Sequence, residues 1–495
     1  MGQKFVGWIE KNEGLILILL LVVILRIPAL FEPYWYGDEG IYLTVGQAMT
    51  HGSRLYAQIV DHKTPIIYWL AEFTGKLIGL KLILITAGVI STALFYFLVK
   101  KLFSKTRAQN ITTLVFALLT TLPMLEGNIA NGELILMPFV LTGMYGFWRF
   151  WPQKSAPALT PYFIGSMFGL AILTKVPAGL DLLGLGIFLI LMMPFAWHKI
   201  NRAAYIRFGL KIGAGCGVPI GLSMIYFALR GDLYDYLQFG LLYNVWYISA
   251  WGPPFQNAVA VFLSSLSGRL MILAGLTFWF WRQRKNLDPG FLFTVIWFLY
   301  ALFGALLSLR PYPHYLIQIV PAGAILSGFL IEGSKQKRWI SAAIIGTTIG
   351  IIYSLRFTLY PTVAYYKTFS RYLTGKITQE QYYNSFDERV VESYVIAKWM
   401  TEHTKPDERI FIWGNEPIVY SLAERSPVGK FTTTFHIESL DAFDETGAAL
   451  ETIKPKIIVV MEYEKTKFPE LRAILASQYV QIKKIGQAFI YKRLI

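Results

Sequence analysis

Tyr36–Leu70 reads YGDEGIYLTVGQAMTHGSRLYAQIVDHKTPIIYWL, a polar stretch directly after an apolar run of membrane-span length. It holds two adjacent carboxylates, Asp38 and Glu39, and the triplet Asp61-His62-Lys63. Two short amphipathic helices are predicted to frame it. Asp38 stands at the N-cap position of the first, ahead of Ile41, Val45, Ala48 and Met49 on one face. Thr64 is the N-cap expected for the second, with Pro65 at its first position. Ile66, Ile67, Leu70, Phe73, Leu77 and Ile78 give this second helix a greasy side, and Glu72 and Lys76 are spaced to pair. Both have the pattern of helices that lie on a bilayer surface with charges at the water boundary. Charge gathered there points to chemistry on a lipid-borne head group.

The surrounding chain supports a membrane setting. Of its 495 residues 55% are apolar and only 16% charged, and the long apolar runs fill Gly14 to about Leu355 while the rest reads as globular. That pattern predicts a polytopic α-helical membrane protein with a small α/β C-terminal domain. The net charge of +15 does not require nucleic acid, because the lysines and arginines gather in particular short loops. The single cysteine, Cys216, excludes a disulfide within the chain. The six histidines are scattered, with neither Cys-x-x-Cys nor His-x-x-x-His spacing, so no metal site is expected. Lys4, Glu10 and Lys11 precede the first apolar run, and no small-residue cleavage site follows Ile27, so this run reads as a retained span.

Eleven spans can be laid out, at roughly 13–31, 81–100, 109–125, 133–151, 160–176, 178–197, 207–229, 257–281, 290–309, 314–332 and 338–356. With that count, Lys4 and Lys11 share a side with four basic loops: Lys100, Lys101, Lys105 and Arg107; Lys199, Arg202, Arg207 and Lys211; Arg282, Arg284 and Lys285; and Lys335, Lys337 and Arg338. The positive-inside rule makes that side cytoplasmic. The opening loop 32–80, the loop 229–256 and the C-terminal domain are then outside. The division expected is a transmembrane module over 1–356 and an extracytoplasmic α/β domain over 357–495.

The outer loops carry the chemistry-bearing residues. Glu126, Asn128, Asn131 and Glu133 bracket one turn, and Lys175 and Asp181 flank Pro177 in another. Loop 229–256 is rich in Tyr and Trp, which suits either an interfacial belt or a sugar-stacking surface. Arg310-Pro-Tyr312-Pro-His314-Tyr315 joins the ninth and tenth spans. In the C-terminal domain helices are expected at Ser385–His403, Pro417–Glu424 and Ile437–Ile453. Strands are expected at Arg409–Trp413, Lys456–Met461, Val480–Lys483 and Ala488–Lys492. The domain has neither a glycine-rich phosphate loop nor a nucleophile elbow, so no chemistry is assigned to it.

Each of these residues has a functional and a bland reading. Asp38 is a general base for an attacking hydroxyl or amine, or it caps a helix. Glu39 orients the acceptor, or is a solvated first-turn acid. Lys63 stands just before a helix N-terminus, a ready phosphate site, or snorkels as a surface charge. Arg310 and His314 hold a lipid phosphate or anchor a span. Lys175, beside a proline break in an apolar hairpin, is costly to place without a role. Asn131 and Glu133 read sugar hydroxyls or cap the fourth span.

Asp38-Glu39 after the first span, Leu55-Tyr56, and Asp61-His62-Lys63-Thr64-Pro65 leading into Tyr68-Trp69-Leu70 resemble the first outer loop of glycosyltransferase family 39-type proteins and aminoarabinose transferases. These belong to the glycosyltransferase C (GT-C) superfamily. Ala130-Asn131-Gly132-Glu133, Leu173-Thr174-Lys175, Arg310 to Tyr315 with Tyr312, and Trp413-Gly414 also look like later motifs of that family. The resemblance implies a many-span fold and a sugar donor carried on a polyprenyl phosphate. By it Asp38 matches the acidic base position and Lys63 the basic residue near the donor phosphate, with Thr64 where the family often has a proline. Asp61, His62 and Tyr56 fall beside these as substrate-binding candidates. No segment is long enough for the central MIR domain of eukaryotic protein mannosyltransferases. Other GT-C branches use a divalent metal with an acidic pair in this loop; family 39 members generally do not, so transfer without a cofactor is expected. The partners implied are membrane lipids, the lipid-linked donor, and a lipid, glycan or protein acceptor.

The function expected is inverting sugar transfer at the outer face of the cytoplasmic membrane. A flippase of lipid-linked sugars is disfavoured because no charged or glycine-broken pair of spans repeats between two halves. A non-catalytic scaffold of envelope assembly is the remaining alternative.

Overall fold

The computed structural model of the protein describes residues 12–151, 157–196, 201–249 and 257–494. Lys4, Glu10, Lys11, Lys199 and the 250–256 end of the aromatic loop lie outside the described residues. Contacts divide the chain into two compact units. The first comprises residues up to 27, 83–226 and 244–362; the second comprises 28–82, 227–243 and 363–495. The opening loop 32–80 thus shares a unit with the C-terminal segment.

The first unit is helical. A helix stands at each of the eleven expected places. Among the described residues, five of these elements have the length and apolarity to cross a bilayer: Glu13–Phe31, Leu77–Leu102, Val176–Pro194, Arg202–Leu229 and Pro313–Glu332. Thr160–Ile172 and Pro289–Ala305 are apolar but shorter. The 257–281 span is broken: Ala258–Ser264 stops, and Ser265 caps Leu266–Gln283 by accepting a bond from Gly268 N. Large apolar side chains face outward on the spans, Leu17, Leu20 and Ile24 on the first and Leu210, Val218, Leu222 and Ile225 on Arg202–Leu229. Small residues let helices close on one another: a Cβ at Gly165 would fall 1.9 Å from Ile212 O. At one end of this unit, the Glu332 carboxylate accepts bonds from Ser104 N and Lys105 N, and Lys337 pairs with Asp288. Three of the basic loops therefore meet there.

The second unit is α/β. β1 (Phe411–Trp413), β2 (Ile457–Met461), β3 (Tyr479–Ile485) and β4 (Ala488–Arg493) form a sheet in the order β1-β2-β4-β3. β1 and β2 are parallel, with Ile412 opposite Val459; β2–β4 and β4–β3 are antiparallel, with Val459 opposite Ile490. Strand alternation splits the apolar residues between two faces. Ile412, Val459 and Ile490 pack with Ile396, Met400, Val419 and Tyr420; Phe411, Trp413 and Ile458 pack with Val428, Phe431, Leu471 and Tyr479. Val60 of the opening loop belongs to this second cluster, and its N–H bonds Lys430 O at 2.8 Å. Burying Val60 contributes about 1.5–3 kcal/mol and pins Asp61 to the sheet side of the unit.

Several local expectations are revised. The first loop helix is Gly37–Thr50 with Tyr36 at its N-cap, so Asp38 lies inside the first turn. The second is Ile66–Thr74 with Pro65 at the cap in place of Thr64. Gly75, at φ 64°, ends it before Lys76, whose ammonium sits 3.8 Å from Glu424 and not on Glu72. Neither helix simply lies on a surface. Glu39, Tyr42, Leu43, Thr44, Val45 and Gly46 of the first are buried, and a Cβ at Gly46 would be 2.5 Å from the Ala71 carbonyl carbon of the second. Of the expected greasy side, Phe73 at 86% and Ile78 at 48% stay exposed. The expected Ser385–His403 helix begins at Val390. The expected Ile437–Ile453 helix is two, Thr434–Ser439 and Phe443–Ile453, separated where Asp441 turns left-handed at φ 50°.

Candidate functional site

The polar residues of the opening loop converge on one carboxylate. Asp61 is fully buried, a costly place for a charge unless it is compensated. Its Oδ2 accepts a 2.5 Å bond from Tyr68 OH and lies 3.8 Å from Lys63 Nζ. Its Oδ1 lies 2.9 Å from His62 Nδ1 and 3.1 Å from His436 Nε2. Burial alone would raise the Asp61 pKa, but Lys63, His62 and the hydrogen bonds from His436 and His62 hold it well below the usual range. Burial pushes His62 down, with the Asp61 charge opposing. The backbone here is fixed by Tyr56, which adopts φ 67° and donates its buried hydroxyl to Lys63 O at 2.7 Å.

Lys63 links this buried anion to a more open one. Its Nζ is 3.3 Å from Asp38 Oδ2 and 4.9 Å from the centre of the Tyr42 ring. Tyr42 OH also donates to Asp38 Oδ2, at 3.2 Å. The Asp38 side chain is 30% exposed against 10% for Lys63 and none for Asp61. A carboxylate with solvent access, a cation beside it and a buried anion behind the cation can bind an anionic group and accept a proton next to it.

Glu39, adjacent to Asp38 in sequence, serves another purpose. Its carboxylate is 2.8 Å from Lys81 Nζ, which is also 2.9 Å from Glu32 Oε2; Tyr365 OH donates to Glu32 Oε1 at 2.5 Å. All three charges of this triad are buried, so Glu39 ties the first loop helix to the start of Leu77–Leu102 and is not a solvated first-turn acid.

The remaining predicted residues assemble in the first unit. His314 Nδ1 and Glu126 Oε2 are 2.5 Å apart, and Asn131 Nδ2 donates to the same oxygen at 2.9 Å. Lys175 pairs with Glu133 and lies 4.5 Å from the centre of the Tyr315 ring. Asn131 Oδ1 and Glu133 Oε2 are each buried without a hydrogen-bond partner among the described residues. Arg310 stacks on Tyr247 at 3.9 Å, and Tyr312 lies parallel to His314 at 5.7 Å. Lys63 and Asp38 therefore form one constellation in the second unit, and Arg310, His314, Tyr312, Asn131, Glu133 and Lys175 form another in the first.

His436, Tyr68, Tyr42 and Lys81 went unremarked as site groups in the sequence. His436 sits in a short helix far from the loop, with Thr433 Oγ1 on its Nδ1 at 3.0 Å, and no local pattern marks it.

Residues 62–212 match the family model described as dolichyl-phosphate-mannose-protein mannosyltransferase, under a third of the chain and starting inside the Asp61-His62-Lys63 triplet. No curated protein matches the chain. The crystal structure of ArnT from Cupriavidus metallidurans bound to undecaprenyl phosphate is similar at a TM-score of 0.59 and 15% identity, over 98% of this chain and 98% of that one. The apo structure of the same protein gives 0.57 and 15%, over 99% and 98%. At such identity the likeness carries the fold. Fold and outward-facing apolar helices define a multi-pass membrane protein of the ArnT-like architecture. The sequence likeness to the mannosyltransferase family is confined to residues 62–212, and the likeness in fold to ArnT runs over nearly the whole chain.

Proposed function

We propose that the protein is a membrane glycosyltransferase that moves a sugar from a polyprenyl-phosphate donor to an acceptor at the outer face of the cytoplasmic membrane, with inversion. The observation that carries this reading is the Lys63–Asp38 pair at 3.3 Å, with Asp38 a third exposed. The donor phosphate takes Lys63 as its counter-ion, which releases Asp38 as a base. Asp38 accepts the proton of the acceptor hydroxyl or amine as that atom bonds the anomeric carbon. The bond from that carbon to the phosphate oxygen breaks with its electron pair, and polyprenyl phosphate leaves. Because the leaving group is itself an anion, a cation beside it matters more than an acid.

Asp61, held ionised, holds Lys63 in place from behind. Asn131 and Glu133 offer buried oxygens to sugar hydroxyls, while Arg310 and His314 remain phosphate candidates, the latter already engaged by Glu126. No metal enters this scheme. The meeting of the basic loops at one end of the helical unit supports a cytoplasmic placement of that end by the positive-inside rule, with eleven spans and the α/β segment outside. Purified protein, given a short-chain polyprenyl-phosphate sugar and a panel of lipid, glycan and peptide acceptors, should yield glycosylated product. Asp38→Asn should bind the donor and fail to turn over; wild-type-like transfer by that variant would remove the base assignment.

A further inference from the structure

Asp61 Oδ1, His62 Nδ1 and His436 Nε2 are mutual neighbours, each facing the other two, where a hydrogen-bond chain would need only successive contacts. The three separations are 2.9 Å (Asp61–His62), 3.1 Å (Asp61–His436) and 3.4 Å (His62–His436). Donors about 2.0–2.1 Å from a tetrahedral zinc lie about 3.3 Å apart, so these atoms already span nearly one face of such a tetrahedron. We propose that they form a divalent-cation site of the zinc type, joining the opening loop to the C-terminal segment within the second unit.

The donor set fits that class. Two imidazoles and one carboxylate suit zinc and its transition-metal neighbours, whereas magnesium and calcium prefer all-oxygen shells. The outer contacts are those a metal ligand requires. His436 has Thr433 Oγ1 on Nδ1 at 3.0 Å, which leaves Nε2 directed at the centre. Asp61 has Tyr68 OH and Lys63 on Oδ2, which leaves Oδ1 for the ion. His62 packs its ring 5.4 Å from that of Tyr243, holding the imidazole in position. Three protein donors leave a fourth position for water. Because Asp61 also partners Lys63, an ion here fixes the backbone that carries the phosphate-binding cation. The site does not depend on the transfer reading.

The test uses full-length protein purified in detergent through a histidine-free tag, stripped with a chelator and titrated with zinc. Wild type should bind about one equivalent and melt at a higher temperature with zinc than without. His436→Ala and His62→Ala should each bind at least about ten-fold more weakly and lose the zinc-dependent rise, while their metal-free forms stay monodisperse. Cobalt(II) should give a tetrahedral visible band in wild type only. His62 is partly exposed, so its variant carries the test if His436→Ala aggregates. Wild-type zinc affinity in His62→Ala, or no stoichiometric binding by wild type, would overturn the site. The outcomes separate from those for transfer: Asp38→Asn should keep its zinc, so retained zinc with lost transfer supports both readings. Unimpaired transfer in Asp38→Asn beside lost zinc in His62→Ala would leave only the metal site standing.

Discussion

Asp38 and Lys63 come from a single loop, whereas Glu126 and His314 stand 188 positions apart and meet because helices bring their ends together. Both regions hold acids, cations and tyrosines, yet their charges are spent differently. In the span-end region Glu126 and His314 are both buried and in contact, and Lys175 is matched by Glu133. In the loop region one buried carboxylate, Asp61, secures Lys63, and a second, Asp38, remains within reach of solvent on the other side of that cation. Glu126 and His314, buried and in contact, hold the span ends, while Asn131 and Glu133 beside them each keep one buried oxygen without a partner among the described residues; a cation shared between a hidden and an open carboxylate makes a place for an incoming anion. The comparison predicts that substitutions at Asp38 and Lys63 strike turnover and that substitution of Glu126 strikes stability.

The largest effect should follow Asp38→Asn. A positioned base contributes about 10²–10⁴-fold, so kcat should fall by about that factor with donor affinity and melting temperature nearly unchanged. Steady-state kinetics beside donor-binding titrations measure both. A melting temperature that fell with activity would make Asp38 a structural residue like Glu126 and dissolve the contrast.

Glu126→Ala tests the opposite pole. It strands His314 and Asn131 in a buried setting, where each donor left without its partner costs about 1–3 kcal/mol. Denaturation in detergent should show that loss, and the folded fraction should retain donor affinity. A stable variant with abolished transfer would move Glu126 into the chemistry.

Lys63→Gln should act between these poles. Removing a hydrogen bond to a charged group costs about 1.5–3 kcal/mol, about 10- to 100-fold in kcat/KM, carried mainly by the donor KM. Lys63→Arg should recover part of it. Equal loss in both variants would show that geometry around Asp38 and Asp61, and not charge, sets donor binding.

How far the sequence was readable follows from the same contrast. Asp38, Asp61, His62 and Lys63 were legible because they lie in one short polar loop beside an apolar run, where local pattern and local structure coincide. The strands of the sheet were legible for a similar reason: runs such as Ile457–Met461 are too short and too β-branched to be helices. The burial of Glu39 was not legible because its partner, Lys81, lies in the helix Leu77–Leu102, and nothing near Glu39 signals a buried triad. His436 was invisible, since a lone histidine in a soluble-looking segment gains meaning only when Val60 packs against the sheet. The break at Asp441 was missed because a left-handed residue other than glycine leaves little trace in composition.

The smallest effect should come from Lys76 and Glu424, which belong to the same unit as Asp38 but sit at the surface. Their 3.8 Å contact joins side chains 68% and 57% exposed, so water and salt screen it and ordering two long side chains opposes it. Lys76→Ala, Glu424→Ala and the double variant should each lie within about 0–1 kcal/mol of wild type, and their difference should vanish in high salt. Transfer should be unchanged, although Lys76 is a lysine of the same opening segment as Lys63. The difference between the two lysines is what stands behind them: Asp61 holds Lys63 from a buried position, while Glu424 meets Lys76 in open water. A measurable loss of donor affinity in Lys76→Ala would mean that the general positive charge of the loop, and not the Asp61–Lys63–Asp38 arrangement, attracts the phosphate.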